Sequence, residues 1–580
     1  MFKNVFYDYR QSIMHLWYTV RGEHFYANYH WVPYVFVPGN GNVTSIYGKP
    51  MIKKWFKTYY EYKEYLEQHT DNKNIHENKV KPEIQFLAEG FHDITEVPEM
   101  KIYSIDIEID SDIFPDPQAA NDKIFLISVH DMNQWKTYVF GEKPYTGNME
   151  NIEYVECKTE EILLSEFLTF MKCNPCDVIT GWNCYFFDIP YIVNRTKKLF
   201  GEDTKLYHRL SPIKHVNTWR GSRITDSSGR TFAGTEFKID IGGVSILDYM
   251  DIYKKYGKKL ESYSLNFVSF AELEKGKLDY SENAYSLKEL YSTNWNKMVE
   301  YNVIDAKRVA QLENKLGYIK MIQSLSLLTK TPMICYQTQT SQIEGHILSH
   351  LRKKNMCAPP LLQGYQMGYD AAYVKEPQVG IYNWVLDMDV MSEYPTAIIA
   401  LNMSTETYFG KILGLKEDEI IEHTANKNFP PFKIKRNNND IFYDSDKVAI
   451  FNKALKVGKF TIAPNGAIFT TNKTGIISEI EYNLFIQRQQ TKKEMLSLEK
   501  DGQNKDLVAQ LDRLQNAQKT ILNSIYGIMA TPYSRYANVD IAEAITACGR
   551  HVIKSSEGYI NDILNNPNQE LKTILDELRS

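Results

Sequence analysis

Hydrophobic and polar positions change their period along the chain. Residues 1–98 mix short alternating stretches with a charged, helix-like stretch over roughly 53–69, and the polar run 70–81 (TDNKNIHENKVK) reads as a loop. From Lys101 the text turns to apolar runs, KIYSIDIEI (101–109) and KIFLISVHD (123–131), interleaved with helix-period segments such as EEILLSEFLTFMKC (160–173). Strands alternating with helices predict an α/β domain. Residues 220–240, with Ser228-Gly229 between alternating segments, predict a hairpin. A long helical stretch follows over about 287–326. The Pro- and Gly-containing run 358–380 reads as a boundary before a strand, WVLDMDV (384–390). Two antiparallel helices are predicted within 475–531. The first runs over about 478–500, Asp501-Gly502 makes the turn, and Leu507, Leu511, Leu514, Ile521 and Ile525 repeat with helical period on the second. The chain's last thirty residues read as helical and polar.

Composition narrows the class. The 580 residues carry 67 Lys plus Arg against 72 Asp plus Glu, a net charge of −5, with 43% hydrophobic and 24% charged residues. That is globular composition and excludes collagen-like, disordered and disulfide-scaffold classes. No apolar run approaches a membrane span, and the first residues lack a signal-peptide core, so no membrane association is expected. Seven cysteines, sparse and odd in number, fit a reducing cytoplasm. Cys173 and Cys176 have zinc-knuckle spacing but no second pair at ligand distance, so a structural zinc is not expected. With the charge near balance, any nucleic-acid contact must come from locally placed basic groups. The basic, aromatic run 53–65 (KKWFKTYYEYKEY) suits stacking on a single strand or a half-buried surface helix equally.

One constellation lies in the α/β part. Asp106 and Glu108 are two apart on a strand and share a face, where two carboxylates repel unless a cation sits between them. Asp188 lies between Phe187 and Ile189, an odd acid to bury without a partner, and Pro190 is expected to interrupt regular structure just after it. Tyr301 and Asp305 are four apart and share a helix face. Each taken alone also fits a solvated acid. Four carboxylates together offer the hard oxygen ligands that suit Mg²⁺ or Mn²⁺, and a pair of such ions can cleave a phosphodiester. Tyr301 is placed to orient the attacking water. The ordered trio D-I-E, N-x4-D and Y-x3-D resembles the three motifs of proofreading 3′–5′ DNA exonucleases. That resemblance implies an RNase H-like fold, with Asp106, Glu108, Asp188 and Asp305 as metal ligands, Asn183 on the substrate strand and Tyr301 on the water.

A second constellation lies downstream. In DMDVMSEYPTAII (387–399) a strand runs into a helix capped near Ser392, with Pro395 in its first turn. Free N–H groups there favour a phosphate, and Asp389 at the strand end can hold its cation. Arg488 and Lys492 share one helix face; Lys519, Asn523 and Tyr526 share another, with Gly527 beside them. Taken singly these are ordinary turn formers and surface cations. Together they resemble the family B DNA polymerases: D-x-x-S-x-Y-P over Asp389–Pro395, K-x3-N-S-x-Y-G over Lys519–Gly527, and the upstream Arg488/Lys492 pair. FPDP (114–117), GVSILDYMDIYKKY (243–256) and NMSTETYFG (402–410) narrow the resemblance to the T-even tailed-phage type, over essentially the whole chain.

The resemblance implies a DNA-templated polymerase with proofreading for phage-type replication, in the cytoplasm of the host. Its parts would be an N-terminal domain (1–98, with 318–357 packed on it), an exonuclease domain (99–317), a palm in two pieces (358–474 and 532–580) and two-helix fingers (475–531). Asp389 and the Val390 carbonyl would ligate the polymerase metals, and the Ser392 and Glu393 amides would meet the dNTP triphosphate. Tyr394 would pack under the sugar. Arg488, Lys492 and Lys519 would bind phosphates, Asn523 would line the nucleotide site, and Tyr526 and Gly527 would face the nascent pair. The 220–240 hairpin would help move a primer end into the exonuclease site. Primer–template and single-stranded DNA would be the partners.

Three positions depart from the pattern. Glu393 stands at the usual Leu, and Ala371-Ala372 replaces a Gly-containing linker pattern. The later palm motif Y-G-D-T-D-S does not occur in the 580 residues. The expectation is therefore an N-terminal portion that proofreads alone. It would polymerise only with a second chain bringing the other palm Asp and thumb, which would also make any sliding-clamp contact. A free-standing single-strand exonuclease and a non-catalytic DNA-binding module are the alternatives.

Overall fold

A computed structural model of the chain describes all residues except 92–96, 221–223, 226–230, 233–236, 275–286, 363–367, 369–372, 377–378, 382–388, 437–438, 501, 503 and 566–580. The strand expected at 384–390 and the Ala371-Ala372 pair therefore lie outside the described residues, wholly or in large part. So do Ser228-Gly229 and the last fifteen residues. The chain divides into two compact units: 1–31 with 93–327 and 331–337, and 32–92 with 328–330 and 338–580.

The first unit is built on a six-stranded mixed sheet. Its strand order is Ser245–Asp248, Val178–Gly181, Ile102–Asp110, Lys123–Asp131, Lys136–Gly141, Ile152–Glu156. The first three run parallel, and Lys123–Asp131 is antiparallel to the acid-bearing strand Ile102–Asp110. Ile105 and Ile107 are buried in the core while Asp106 and Glu108, alternating with them, are half-buried. The pairing slips between Glu108 and Ile109, a bulge of the kind that re-aims side chains. Helices Glu160–Cys173 and Trp295–Leu316 pack on the sheet. Leu163, Leu164, Phe167, Leu168 and Met171 give the first of these its buried stripe. Three antiparallel strands, Phe2–Asp8, Ile13–Val20 and Glu23–His30, form a separate sheet. The expected hairpin is present as Val216–Arg220 paired antiparallel with Phe237–Ile241.

Two sequence expectations change here. The stretch 287–326 is three helices, not one: Leu287–Thr293, Trp295–Leu316 and one starting at Tyr318. Asn294 caps the second through Lys297 N, and Gly317 ends it in the left-handed conformation (φ 65°), where a side chain would strain. Pro190 does not interrupt structure. It sits in the first turn of the helix Asp188–Phe200, where no intrahelical donor is needed.

The second unit holds a five-stranded antiparallel sheet, ordered Asn439–Tyr443, Phe432–Arg436, Tyr408–Leu413, Ala467–Thr470, Phe460–Ile462. Phe429, Phe432, Phe451, Ile434 and Ile468 fill its core with the helices Glu417–Asn426 and Ser445–Lys456. The helices Ile476–Lys500 and Lys505–Ala530 pair with each other as the periodicity predicts, and Val539–Asn565 follows. The helix expected from residue 53 begins at Tyr59, capped by Thr58, because Pro50–Lys54 pairs as a strand with Val35–Ser45.

A buried guanidinium fastens this unit. Arg352 Nη1 donates to Glu77 Oε1 at 2.9 Å, Nη2 also reaches Glu77, and Nε donates to Glu89 at 3.0 Å. Glu77 is fully buried. Arg352→Met would leave that carboxylate without its charge partner, a cost of about 3–5 kcal/mol. The expected result is a lower urea midpoint; an unchanged midpoint would refute the role.

Candidate nuclease and nucleotide sites

The three acidic motifs meet on the strand Ile102–Asp110. Asp188 opens the helix Asp188–Phe200, and its Oδ1 accepts from the backbone N–H of Ile107 at 3.2 Å, the residue between Asp106 and Glu108. On the helix Trp295–Leu316, Asn302 Nδ2 donates to Asp106 Oδ2 at 2.6 Å, and Asp305 follows three positions later on the same helix face. Asp188 and Asp305 are 4% and 6% exposed. Tyr301 is buried among Phe125, Leu126, Met298 and Val299.

The loop into Asp188 is held from below. Asp248 ends the neighbouring strand and caps the helix Tyr249–Tyr256. Its carboxylate accepts from Asn183 N (3.2 Å), Tyr185 N (2.9 Å) and Met250 N (3.0 Å). Asn183 takes φ +70°, a left-handed conformation that Asn tolerates, and its carbonyl accepts from Phe187 N at 3.0 Å. The site thus lies at the carboxyl ends of adjacent parallel strands, Gly181 opposite Asp248. Asn302 and Asp248 are the two residues that the motif reading missed. Asn302 stands next to Tyr301 in the motif, but nothing in a linear string says that an amide will meet Asp106.

Burial is the main cause that pushes the Asp188 carboxyl up, to about 8, and the neighbouring Asp248 adds to it; the Ile107 N–H opposes both. Burial also lifts Asp248, to about 6. Among the described residues no group of three or more His, Cys, Asp or Glu stands ready to hold a metal ion. Asp106 is engaged by Asn302. The donor chemistry, all oxygen and with a strongly desolvated acid among them, still fits a hard divalent cation, which favours the ionised carboxylate that burial disfavours.

A pH test follows. An acid raised in the folded state binds more protons there than when unfolded, so its contribution to stability falls as pH rises from about 4 towards about 8. Asp188→Asn removes that loss. The melting-temperature gain of the variant over the parent chain is expected to be small near pH 4 and largest near pH 8; a gain independent of pH would refute it.

In the second unit, Asp389 and Val390 are exposed and stand just before the helix Glu393–Leu401. Ser392 caps that helix at φ 55° without a side-chain cap bond, leaving its hydroxyl out of the helix. Glu393 turns inward. Its Oε1 is buried without a hydrogen-bond partner among the described residues, a Cβ on Gly549 would lie 3.2 Å from it, and burial, then Asp389, raises its carboxyl. Tyr394 and Tyr526 are in ring contact at 5.0 Å, which joins the two polymerase-like motifs. Arg488 Nη2 reaches Gln515 Oε1 at 3.4 Å across the helix pair, while Lys492, Lys519, Asn523 and Gly527 are exposed.

Comparison with known proteins decides the family. A model of the exonuclease domain of DNA polymerase family B matches residues 48–268, and a model of DNA polymerase family B matches 329–577. The chain belongs to DNA polymerase family B. It is 27% identical to the DNA-directed DNA polymerase of Escherichia phage RB69 over 90% of this chain and 62% of that protein. It is 25% identical to that of Enterobacteria phage T4, over 80% and 56%. Against the DNA polymerase delta catalytic subunit of Caenorhabditis elegans it is 26% identical, over 69% and 33%. This family B chain thus spans about three fifths of the length of its two phage relatives. Among its described residues no helix is long and apolar enough to cross a membrane.

Proposed function

We propose that this family B chain is a 3′–5′ exonuclease on single-stranded DNA and the N-terminal portion of a replicative DNA polymerase. The observation that carries the nuclease reading is the meeting of all three motifs on one strand, through Asp188 with Ile107 N and Asn302 with Asp106. In this reading 99–317 is the exonuclease domain, 358–474 and 532–580 belong to the palm, 475–531 are the fingers, and 1–98 with 318–357 form the N-terminal region. Asp106, Glu108, Asp188 and Asp305 hold two divalent ions, which supply Lewis-acid stabilisation and a more acidic water when bound. The chain's own residues do the rest. Asn183, on its left-handed turn, holds the strand near its 3′ end. The Tyr301 hydroxyl orients water. The Asn302 amide holds the Asp106 carboxylate in its orientation.

For polymerisation, Asp389 and the Val390 carbonyl hold metal, the Ser392 and Glu393 amides take the triphosphate, and Tyr394 packs under the sugar. Arg488, Lys492 and Lys519 neutralise the phosphates, Asn523 lines the nucleotide site, and Tyr526 with Gly527 face the new pair. The Tyr394–Tyr526 contact supports this placement. The partners are primer–template DNA, dNTP and a second palm segment, the route to any sliding clamp.

The test uses the purified chain, Mg²⁺ and 5′-labelled single-stranded DNA. A ladder shortening from the 3′ end is expected, and its absence under those conditions would reject the nuclease reading.

A further inference from the structure

A basic cleft of about 630 Å³ opens in the first unit, away from the acids. Arg10, Lys172, Lys205, Arg209 and Lys214 line it, and none of the four exonuclease acids does. Among the described residues no carboxylate forms an ion pair with these five cations; Arg209 donates to the neutral Thr169 Oγ1 at 2.8 Å. In a chain of net charge −5, five cations with no ion pair among the described residues around one cleft are a local concentration of positive potential. Two histidines, His208 and His215, also line the cleft. Burial first, then His215 and Lys205, hold the His208 imidazole below its usual range. His208 Nδ1 accepts from Val216 N at 3.1 Å, which leaves the proton on Nε2. His215 Nε2 is buried without a hydrogen-bond partner among the described residues, while its Nδ1 lies 3.6 Å from Asp8. The cleft therefore gathers five cationic side chains around one opening, the complement of a phosphate chain.

A row of rings leads away from it. His215 meets Phe6 at 4.9 Å, and Phe6 meets His15 at 6.2 Å. His15 stacks on Tyr26 at 6.1 Å and on Trp17 at 6.3 Å, and Trp17 and Tyr26 lie 5.1 Å apart. The cross-strand register explains the row, since Phe6 pairs with His15 and Trp17 with Tyr26 across the three-stranded sheet. Tyr26 is 46% exposed at its outer end. Exposed rings offer π faces to unpaired bases, which a duplex keeps stacked inside itself.

We propose that this cleft and the ring row form a second binding site, for single-stranded DNA, with backbone phosphates among Arg10, Lys172, Lys205, Arg209 and Lys214 and bases on the Tyr26 side. It extends the DNA-directed reading above to a surface that does no chemistry. Its position at the foot of the Val216–Arg220 hairpin arm holds a strand beside the element expected to move a primer end.

The test is anisotropy of labelled oligo(dT) of about 20 nucleotides on the full chain in EDTA, over a salt series. For Lys172→Ala/Lys205→Ala/Lys214→Ala, three exposed side chains, the log–log salt slope is expected to become shallower by about 2, roughly 0.7 per lost contact, with about tenfold weaker binding. Tyr26→Ala is expected to weaken binding roughly fivefold with the slope unchanged. An unchanged slope and affinity in the triple variant overturns the site. So does a loss confined to oligo(rU) or to blunt duplex. The reading is taken without divalent ions, so it is separable from nuclease function. A chain that trims DNA while the triple variant binds normally sinks only this site. A chain that binds as described yet never trims sinks only the nuclease reading.

Discussion

Asp188→Asn is expected to lower the rate of single-strand trimming at least 10²–10³-fold, the usual cost of deleting one preorganised charge from a reacting phosphate's surroundings. Asp188 is tied into the fold from several sides. It opens a helix, it accepts from Ile107 N, and it sits against the Asp248 loop brace. Asn keeps the shape and a hydrogen-bond acceptor for Ile107 N, so the fold is retained and the charge is lost. The double variant Asp106→Ala/Glu108→Ala is expected to fall at least as far, and combining it with Asp188→Asn should add little, because the acids act as a unit. Time courses of 3′ shortening read all of these. Trimming by Asp188→Asn within a factor of about three of the parent would remove Asp188 from the reacting site and leave the surrounded strand as mere structure.

Primer extension by the 580-residue polypeptide is expected to stay at background with Mg²⁺ and all four dNTPs, while trimming proceeds. In-line transfer between two metal ions needs anionic ligands clamping both the attacking and the leaving oxygen. In the proposed reading Asp389 is one such ligand, and no Asp-Thr-Asp occurs anywhere in the 580 residues. Glu393, four positions on, does not replace it. Its carboxylate lies against Gly549, its Oε1 is buried, and the nearby Asp389 charge disfavours its ionisation. Adding a palm segment that carries the second carboxylate, on the same polypeptide or a separate one, is expected to switch extension on, and Asp389→Ala should then abolish it. Extension by the 580 residues alone would show that one palm carboxylate suffices here and would end the two-part reading.

Much of this was open to reading because chemistry and period coincide locally. Asp106 and Glu108 share a face because a strand alternates, and Tyr301 and Asp305 share one because a helix turns every 3.6 residues. The helix pair 476–500 and 505–530 follows from apolar spacing and a Gly turn in the same way. Breaks were harder to see. The 287–326 stretch divides at Asn294 and Gly317, whose effect depends on cap geometry rather than on hydrophobic period. Pro190 reads as a breaker in a string and as a first-turn residue once Asp188 is known to start the helix.

The linear order of residues by itself determined the family, the acids and the cations, since these are matters of residue type at short spacing. Only the tertiary structure decided which groups answer one another across 81 and 196 positions, Asp188 with Ile107 N and Asn302 with Asp106. It alone brought in Asp248 as the brace and gathered Arg10 with Lys205 and Lys214 around one cleft. Those meetings depend on sheet order and on which helix face is buried. They are set by the packing of the whole core and leave no periodic trace in any one segment.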